Sequence, residues 1–269
     1  MILPYGIIGD KTERKMRHGS LFSGIGGPEL AAEWMGWDNV FHCEWNKSGQ
    51  RLLKQYWPES KSYGDITTTD FTIHRGDIDV LTGGFPCQPF SLSGDQKGEQ
   101  DERYLFPEML RAARETEAPW IVGENVYGIT APKFRKTFEE ICSSLEAEGY
   151  KVQPIIIPAS AIGAWHERKR TWFVAYSDSF GRKRRANGIN SKGGKRKDSR
   201  EIKFEGCDKP DWESEDWAGF TSRFIRVVDG VPERLDSPGR RERLKALGNS
   251  IVPQLILHIF KAIEAYNNL

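Results

Sequence analysis

The chain has 269 residues, with 39 lysines and arginines against 38 aspartates and glutamates and a formal net charge of +1. Hydrophobic residues make up 38% of the chain and aromatic residues 12%, which is enough for a buried core and excludes the disordered and collagen-like classes. No apolar run approaches the roughly 18 residues of a membrane span, and Met1–Asp10 lacks the features of a secretion signal. The four cysteines form no CxxC pair, which favours a reduced cytoplasmic protein over a disulfide or zinc scaffold, and no metal is expected.

Apolar residues alternate between helical and strand spacing along most of the chain. The predicted elements, in chain order, are a strand ending at Ser20–Phe22, a helix over Leu30–Met35, a strand at Asn39–Cys43, a helix over Leu52–Trp57, a strand at Ile78–Thr82, a helix over Met109–Glu117, a strand at Trp120–Val122, a helix over Phe134–Glu148, strands at Lys151–Ile157 and Thr171–Ala175, and a final helix over Gln254–Tyr266. This alternation predicts an α/β fold built on a doubly wound, mostly parallel sheet.

Charge is distributed unevenly in the second half of the chain. Residues 181–200 contain nine basic residues and one acid, whereas residues 205–216 contain six acids and one lysine. The average charge is neutral only because these two blocks cancel. The stretch is also rich in Gly, Ser and Asn, so we predict a loop-rich insertion at residues 177–235 between two parts of one domain, residues 1–176 and 236–269.

A glycine-rich turn, Phe22–Gly27, lies between the first predicted strand and the first predicted helix. Glycines let the backbone approach a ligand at a helix N-terminus, although such a turn is often only a turn. Glu44 and Trp45 follow the second strand, where a carboxylate binds ribose hydroxyls and an indole stacks on adenine; the alternative is a surface acid beside a core aromatic. Asp65 adds a third acid at a strand end, so the three strand ends together predict an adenosyl-type ligand. No phosphate-binding lysine follows the glycines, which argues against a nucleoside triphosphate.

The loop Gly83–Ser91 carries a cysteine, Cys87, between two prolines and directly after a predicted strand. A lone cysteine is usually a small buried hydrophobe. A rigid loop at the carboxyl edge of the sheet instead exposes the thiol where ligands bind, so a thiolate nucleophile is the functional interpretation. An acid and two cations follow later strands, namely Glu124, Arg168 and Arg170, although such residues are individually most often part of a loop or a solvated face.

With these pieces in this order, the chain resembles the DNA (cytosine-5)-methyltransferases of bacteria and phages. The matching motifs are Phe22–Gly27, Glu44–Trp45, Gly64–Ile66, Gly83–Ser91, Glu124–Val126, the pair Arg168 and Arg170, and Leu247–Gln254. The resemblance spans about residues 17–176 and 240–269. It departs from the family at Trp165, where proline is common, and at His166, where glutamine is usual.

The resemblance implies a Rossmann-like methyltransferase fold that binds S-adenosylmethionine. Glu44 would bind the ribose, Trp45 and Ile66 would lie against the adenine, and Asp65 would accept from the adenine amino group. The full set of residues expected to bind the cofactor is Phe22, Gly24, Gly26, Gly27, Glu44, Trp45, Asp65, Ile66, Pro86, Leu105, Asn249 and Ser250.

The resemblance also implies covalent catalysis on a cytosine that is flipped out of duplex DNA. Cys87 would add to the ring, Glu124 would hold ring nitrogen 3, and Arg168, with Arg170 less directly, would orient the base. DNA contacts are expected in the cysteine loop and in the basic block, at Gln88, Ser91, Arg182, Lys183, Arg184, Arg185, Lys195, Arg196 and Lys197. A solvated tether is the alternative for the basic block.

The implied function is methylation of carbon 5 of cytosine, in restriction-modification or in protection of phage DNA. A cytoplasmic monomer in a bacterial cell, host- or phage-encoded, is expected, with a cognate restriction endonuclease as a candidate partner. Three alternatives stay open: a related enzyme that acts on RNA, a DNA-binding protein without catalysis, and a nicotinamide dehydrogenase. The last fits the glycine-rich turn but leaves Pro86, Cys87 and Gln88 unexplained.

Overall fold

The computed structural model describes residues 14–86, 104–164, 167–180 and 248–267. Its strands, in chain order, are β1 (Arg17–Leu21), β2 (Asp38–Cys43), β3 (Lys61–Tyr63), β4 (Val80–Gly84), β5 (Trp120–Val126), β6 (Lys151–Ile157) and β7 (Arg170–Tyr176). Its α-helices are α1 (Gly27–Trp34), α2 (Lys47–Tyr56), α3 (Phe106–Thr116), α4 (Arg135–Ala147) and α5 (Pro253–Asn267).

The seven strands form one sheet in the order β3-β2-β1-β4-β5-β7-β6. Strands β1 to β5 pair in parallel, and β7 pairs antiparallel with both β5 and β6. This topology confirms the predicted doubly wound, mostly parallel sheet. Because the strand order reverses between β1 and β4, the carboxyl ends of these strands are where an open sheet of this kind binds ligands.

Helices cover both faces of the sheet and bury two apolar cores. On one face, α1 and α5 pack against the sheet through residues such as Ala32, Ile256 and Phe260. On the other face, α3 and α4 do so through residues such as Met109 and Ile141. A fully buried Leu, Ile, Phe or Met side chain stabilises the fold by roughly 1.5–3 kcal/mol. Helix α5 is therefore held firmly against α1. This packing places the residues that precede α5 at the carboxyl edge of the sheet.

Several predicted elements have the right position but shifted ends. Helix α2 begins at Lys47 rather than Leu52, because the side chain of Asn46 accepts from the N–H groups of Ser48 and Gly49, at 2.8 and 3.4 Å, and caps the helix. Strand β5 runs on to Val126 because its pairing with β7 continues to that residue. The predicted end at Val122 is therefore four residues short.

The predicted insertion at 177–235 falls outside the described residues apart from its first four positions, so the division into domains stays a prediction. Among the described residues, no helix is long and apolar enough to span a membrane. Cys43 and Cys142 are free thiols.

Candidate active site

The glycine-rich turn between β1 and α1 adopts a left-handed backbone at three positions. Phe22, Gly24 and Gly26 have φ values of 53°, 60° and 88°. Glycine adopts such angles without strain, whereas Phe22 is held in place by the surrounding structure. The turn ends at Gly26, which precedes the first residue of α1, so the N–H groups of the helix N-terminus lie beside the turn.

Glu44 ties this turn to the end of β2. One of its carboxylate oxygens accepts from the N–H of Gly24 at 2.7 Å, and the other accepts from the N–H of Asn46 at 2.7 Å. Burial raises the pKa of Glu44, and the two backbone hydrogen bonds oppose that shift. Since each carboxylate oxygen has a second lone-pair direction, the group can also accept from ribose hydroxyls, as the sequence predicts.

Trp45, Asp65 and Ile66 lie where the neighbouring strands β2 and β3 end. The side chain of Trp45 is 74% exposed, whereas Ile66 is buried. Asp65 accepts from the N–H and the hydroxyl of Thr67, at 2.9 and 2.8 Å, which fixes its carboxylate at the start of a 3-10 turn. The indole of Trp45 and the carboxylate of Asp65 thus follow the ends of two neighbouring strands, and their role in binding adenine stays a prediction.

Two further residues of the expected cofactor set are Pro86, within the cysteine loop, and Leu105, which follows that loop in the chain. Pro86 follows β4, and Leu105 precedes α3 and packs against the apolar core. The residues between 86 and 104 are outside the described part of the chain, so a role of Pro86 and Leu105 in cofactor binding stays a prediction.

Residues 248–251, which precede α5, pack on the N-terminus of α1. A Cβ atom at Gly27 would lie 2.3 Å from the carbonyl oxygen of Ile251, so only glycine permits this approach. The guanidinium of Arg168 donates to the carbonyl oxygens of Gly248 and Ser250, at 2.7 and 2.8 Å. Arg168 itself has a φ of 31°, a strained value for a side-chain-bearing residue. Sequence reasoning expected Arg168 to orient the base, and it missed this link to the C-terminal segment.

Glu124 and Arg170 form an ion pair at the end of β5. The Nε atom of Arg170 lies 2.8 Å from Oε1 of Glu124, and both side chains are largely buried. Glu124 pairs across the sheet with Trp172, so Arg170, two residues earlier on β7, is its diagonal neighbour on the same face. Burial raises the pKa of Glu124, while the charges of Arg170 and Arg168 oppose the shift. Arg170, expected to act less directly than Arg168, is the arginine that contacts the carboxylate.

Asn125, the residue after Glu124, is fully buried and positions the start of the cysteine loop. Its Nδ2 donates to the carbonyl oxygen of Phe85 at 3.3 Å, and its Oδ1 accepts from the N–H of Val126 at 2.8 Å. Phe85 is two residues before Cys87 in the chain. No role of its own was assigned to Asn125 from the sequence. The signal that could have pointed to it is an amide side chain directly after the candidate acid Glu124.

The remaining predicted site residues lie outside the described ranges. They are Cys87, Gln88, Ser91, Arg182, Lys183, Arg184, Arg185, Lys195, Arg196 and Lys197. Within those ranges, no three His, Cys, Asp or Glu side chains come together as ligands for a metal ion.

The carboxyl edge of the sheet thus combines the glycine-rich turn, a carboxylate that is bonded to that turn, an exposed indole, and a buried acid paired with an arginine. This arrangement on a seven-stranded sheet with one antiparallel strand defines a Rossmann-like methyltransferase fold. The class of site is one that fits S-adenosylmethionine, because the turn has no phosphate-binding side chain while Glu44 and Asp65 offer acceptors for hydroxyl and amino groups.

Residues 16–215 match the family model described as C-5 cytosine-specific DNA methylase, and the chain belongs to this family. It is 35% identical over 162 residues to the type II methyltransferase M.NgoMIV of Neisseria gonorrhoeae, covering 59% of this chain and 51% of the relative. It is 34% identical over 175 residues to the type II methyltransferase M.HhaI of Haemophilus parahaemolyticus, covering 64% and 53%. The chain therefore spans about half the length of the curated relatives it matches.

A solved structure with a similar fold is a chain assigned as a DNA modification methyltransferase encoded within a prophage of E. coli. The two superpose with a TM-score of 0.52 and 26% sequence identity, over 62% of this chain and 48% of that chain. This likeness agrees with the fold class predicted from the sequence.

Proposed function

We propose that the chain transfers a methyl group from S-adenosylmethionine to carbon 5 of cytosine in duplex DNA. The observation that carries the proposal is the sequence of contacts at the end of β5. Glu124 is paired with Arg170, and Asn125, the next residue, holds the backbone that leads into Cys87. These contacts bring an acid and a cation to the edge of the sheet from which the chain continues to Cys87, the proposed nucleophile.

The glycine-rich turn supports S-adenosylmethionine as the cofactor. When bound, this cofactor supplies an electrophilic methyl group on its sulfonium sulfur. Glu44 would accept from the ribose hydroxyls, Trp45 and Ile66 would lie against the adenine, and Asp65 would accept from its amino group. The other proposed contacts are Phe22, Gly24, Gly26, Gly27, Pro86, Leu105, Asn249 and Ser250.

Carbon 5 of cytosine is too weak a nucleophile to take a methyl group directly. We infer that the thiolate of Cys87 forms a bond to carbon 6, which pushes the electron pair of the 5,6 double bond onto carbon 5. Carbon 5 would then take the methyl group; the S–CH3 bond breaks with its electron pair left on sulfur, and S-adenosylhomocysteine is the leaving group. Loss of the carbon-5 proton to a base restores the double bond, and the electron pair of the S–C6 bond leaves with Cys87 as thiolate.

Glu124 would support the addition by holding the ring at nitrogen 3. The ring gains electron density when the thiolate adds, so a proton shared with nitrogen 3 stabilises the adduct. Burial raises the pKa of Glu124, which favours the protonated form that would share this proton. Arg170 binds Oε1, so the second oxygen, Oε2, is the one proposed to face the base.

A cytosine in a duplex hides both faces in the stack, so the base must leave the helix before it reacts. Flipping costs a few kcal/mol, which contacts in the pocket offset. We assign the phosphate contacts to the basic block at residues 181–200, and contacts near the base to Gln88 and Ser91.

The biological role that we propose is protection of a genome, in restriction-modification or in phage infection. We propose that the protein acts in the cytoplasm and as a monomer. A cognate endonuclease is the proposed partner in the cell.

Methyl transfer from tritiated S-adenosylmethionine to duplex DNA and to transfer RNA tests the proposal. We expect label in DNA from the wild-type chain and none from Cys87→Ala, with DNA binding retained in that variant. Label in transfer RNA alone would favour the RNA alternative, and NAD binding without S-adenosylmethionine binding would favour a dehydrogenase. Bisulfite sequencing of DNA from expressing cells would then report the target sequence.

A further inference from the structure

Helix α2 contacts the glycine-rich turn at both of its ends. At its carboxyl end, the indole of Trp57 lies against Gly26: a Cβ atom there would be 2.4 Å from Cζ3 and 2.7 Å from Cη2 of Trp57. The indole N–H also donates to the carboxylate of Glu33 on α1, at 3.0 Å. One side chain therefore contacts both the end of the turn and the helix that follows it.

The amino end of α2 contacts the other half of the turn through Gly49. A Cβ atom at Gly49 would lie 2.6 Å from the carbonyl oxygen of Gly24 and 2.9 Å from Cγ of Glu44. Glycine is disfavoured inside helices, so its presence in the first turn of α2 needs a packing reason. The close approach of the helix backbone to Gly24 and Glu44 supplies that reason.

Helix α2 is itself fixed in place, so its contacts restrain the turn. Asn46 caps its amino end, and the side-chain amide of Gln50 donates to the carbonyl oxygen of Glu44 at 2.6 Å. Leu53 is fully buried between the two contact points. Gly49 and Trp57 are eight residues apart, which is about 12 Å along a helix.

We propose that α2 acts as a brace, meaning that its contacts hold the glycine-rich turn in its left-handed conformation. Gly49 and Trp57 are then positioning residues for S-adenosylmethionine. Both act through the turn, because Gly49 lies against Gly24 and Trp57 lies against Gly26. The inference rests on the proposed function in taking S-adenosylmethionine as the ligand of this turn. The role of α2 is separate from that function, because contacts at the two ends of one helix fix the left-handed backbone of the turn before the ligand binds.

The physical reason is preorganisation. Glycine has the largest backbone freedom of any residue, so an unbraced turn with glycines at positions 24, 26 and 27 would sample many conformations. A ligand that binds one of them would have to order the turn each time it binds. The brace removes that cost before binding, so its loss should weaken cofactor affinity more than it slows the chemical step.

Calorimetric titration with S-adenosylhomocysteine and S-adenosylmethionine tests the brace on the full chain. We expect Trp57→Ala to weaken binding about 10- to 100-fold, and Trp57→Phe, which keeps an aromatic ring, to stay within about threefold of the wild type. Gly49→Ala should also weaken binding, although alanine favours the helix. The matched controls are Gln55→Ala and Ser48→Ala, at exposed positions close in the chain to the two contacts, and both should bind as the wild type does.

Steady-state kinetics on duplex DNA separate positioning from a general loss of structure. In Trp57→Ala and Gly49→Ala, KM for S-adenosylmethionine should rise in step with the dissociation constant, while kcat at saturating cofactor and KM for DNA stay within about twofold. A merely structural role would lower the active fraction, and hence kcat, without raising the cofactor KM.

Two results would overturn the inference. Folded Trp57→Ala and Gly49→Ala that bind the cofactor with wild-type affinity would rule out the brace while leaving the proposed function intact. A wild-type chain that binds neither cofactor would overturn the proposed function and the brace together. If Trp57→Ala does not fold, as judged by circular dichroism, Gly49→Ala decides the question.

Discussion

Arg170 donates through Nε to Oε1 of Glu124 at 2.8 Å, between neighbouring antiparallel strands. The cation fixes one oxygen of a buried carboxyl group. Burial raises the pKa of Glu124, and Arg170 lowers it in turn, so the pair balances two opposing effects on one proton. The orientation of the acid and its readiness to share a proton therefore both depend on Arg170.

Replacing Arg170 should slow methyl transfer while cofactor binding is retained. We expect Arg170→Ala to lower kcat about 100- to 1,000-fold, the loss typical of removing one preorganised charged donor. Arg170→Lys should give an intermediate rate, because an ammonium group keeps the charge but not the planar geometry of guanidinium. Single-turnover rates on duplex DNA measure the effect, and Lys169→Ala, a neighbouring position that pairs with Glu167, is the control.

The pH profile adds a second readout on the same pair. Without the arginine charge, the pKa of Glu124 should move further up. If the reaction requires the protonated carboxyl group, activity falls as the pH rises and the group ionises. That fall should occur at a higher pH in Arg170→Ala than in the wild type. An unchanged profile, or a rate equal to that of Lys169→Ala, would contradict the assigned role.

Asn125 gives a prediction about the cysteine loop. Asn125→Asp keeps the shape of the side chain but removes the N–H donor to Phe85, and it places a carboxylate against a carbonyl oxygen. We expect methyl transfer to fall about 10- to 100-fold, because Cys87 is two residues along the chain from the released backbone. S-adenosylhomocysteine affinity should remain unchanged. A parallel loss of cofactor affinity would mean that the substitution disturbs the sheet rather than the loop.

The sequence was sufficient to predict those parts of the site that depend on local pattern. Glu44 and Asp65 were correctly placed at strand ends, because strand periodicity and turn signals are local and parallel strands end at a shared edge. The different contacts of Arg168 and Arg170 could not be predicted. The two arginines are two residues apart in the chain whichever residues of β5 they face. Only the pairing of Val126 with Arg170 places Arg170 next to Glu124.

The contact between Trp57 and Gly26 was also beyond sequence reasoning. Trp57 marked the end of a helix correctly, since Pro58 follows it. Which surface an amphipathic side chain covers depends on how the helix packs against the sheet, and that packing involves residues distant in the chain. The same limit applies to Gly27 and Ile251, whose contact depends on the docking of α5.

Arg168 offers a direct comparison between the role expected from the sequence and the contacts in the structure. The structure ties it to Gly248 and Ser250, so Arg168→Ala should loosen the segment that packs on Gly27. We expect cofactor affinity to fall about tenfold, in line with the loss of hydrogen bonds from a charged donor. A role confined to orienting the base would instead lower kcat at saturating cofactor and leave that affinity unchanged. Titration and steady-state kinetics on one variant distinguish the two.

Glu29 makes the stability of the fold depend on pH. Its carboxyl group is fully buried in the first turn of α1, and neither oxygen has a well-aligned hydrogen-bond partner among the described residues. Burial raises the pKa of Glu29 to about 7 from 4.5, and the hydroxyls of Ser23 and Ser20 only partly oppose the shift. Between these two values the folded chain holds a proton that the unfolded chain has lost, so stability falls as the pH rises from 4.5 to about 7.

Glu29→Gln should therefore stabilise the protein at alkaline pH and have little effect near pH 4.5. The amide cannot ionise, so the variant avoids a cost on the order of 3 kcal/mol that the wild type carries above pH 7. Urea unfolding at a series of pH values measures the difference. Other buried groups such as His18 and His42 are present in both proteins and cancel, and Glu59→Gln, at an exposed position, controls for the removal of a carboxylate. A difference between Glu29→Gln and the wild type that stayed constant from pH 4.5 to about pH 8 would show that Glu29 does not titrate in this range, because only its ionisation makes the gap grow with pH.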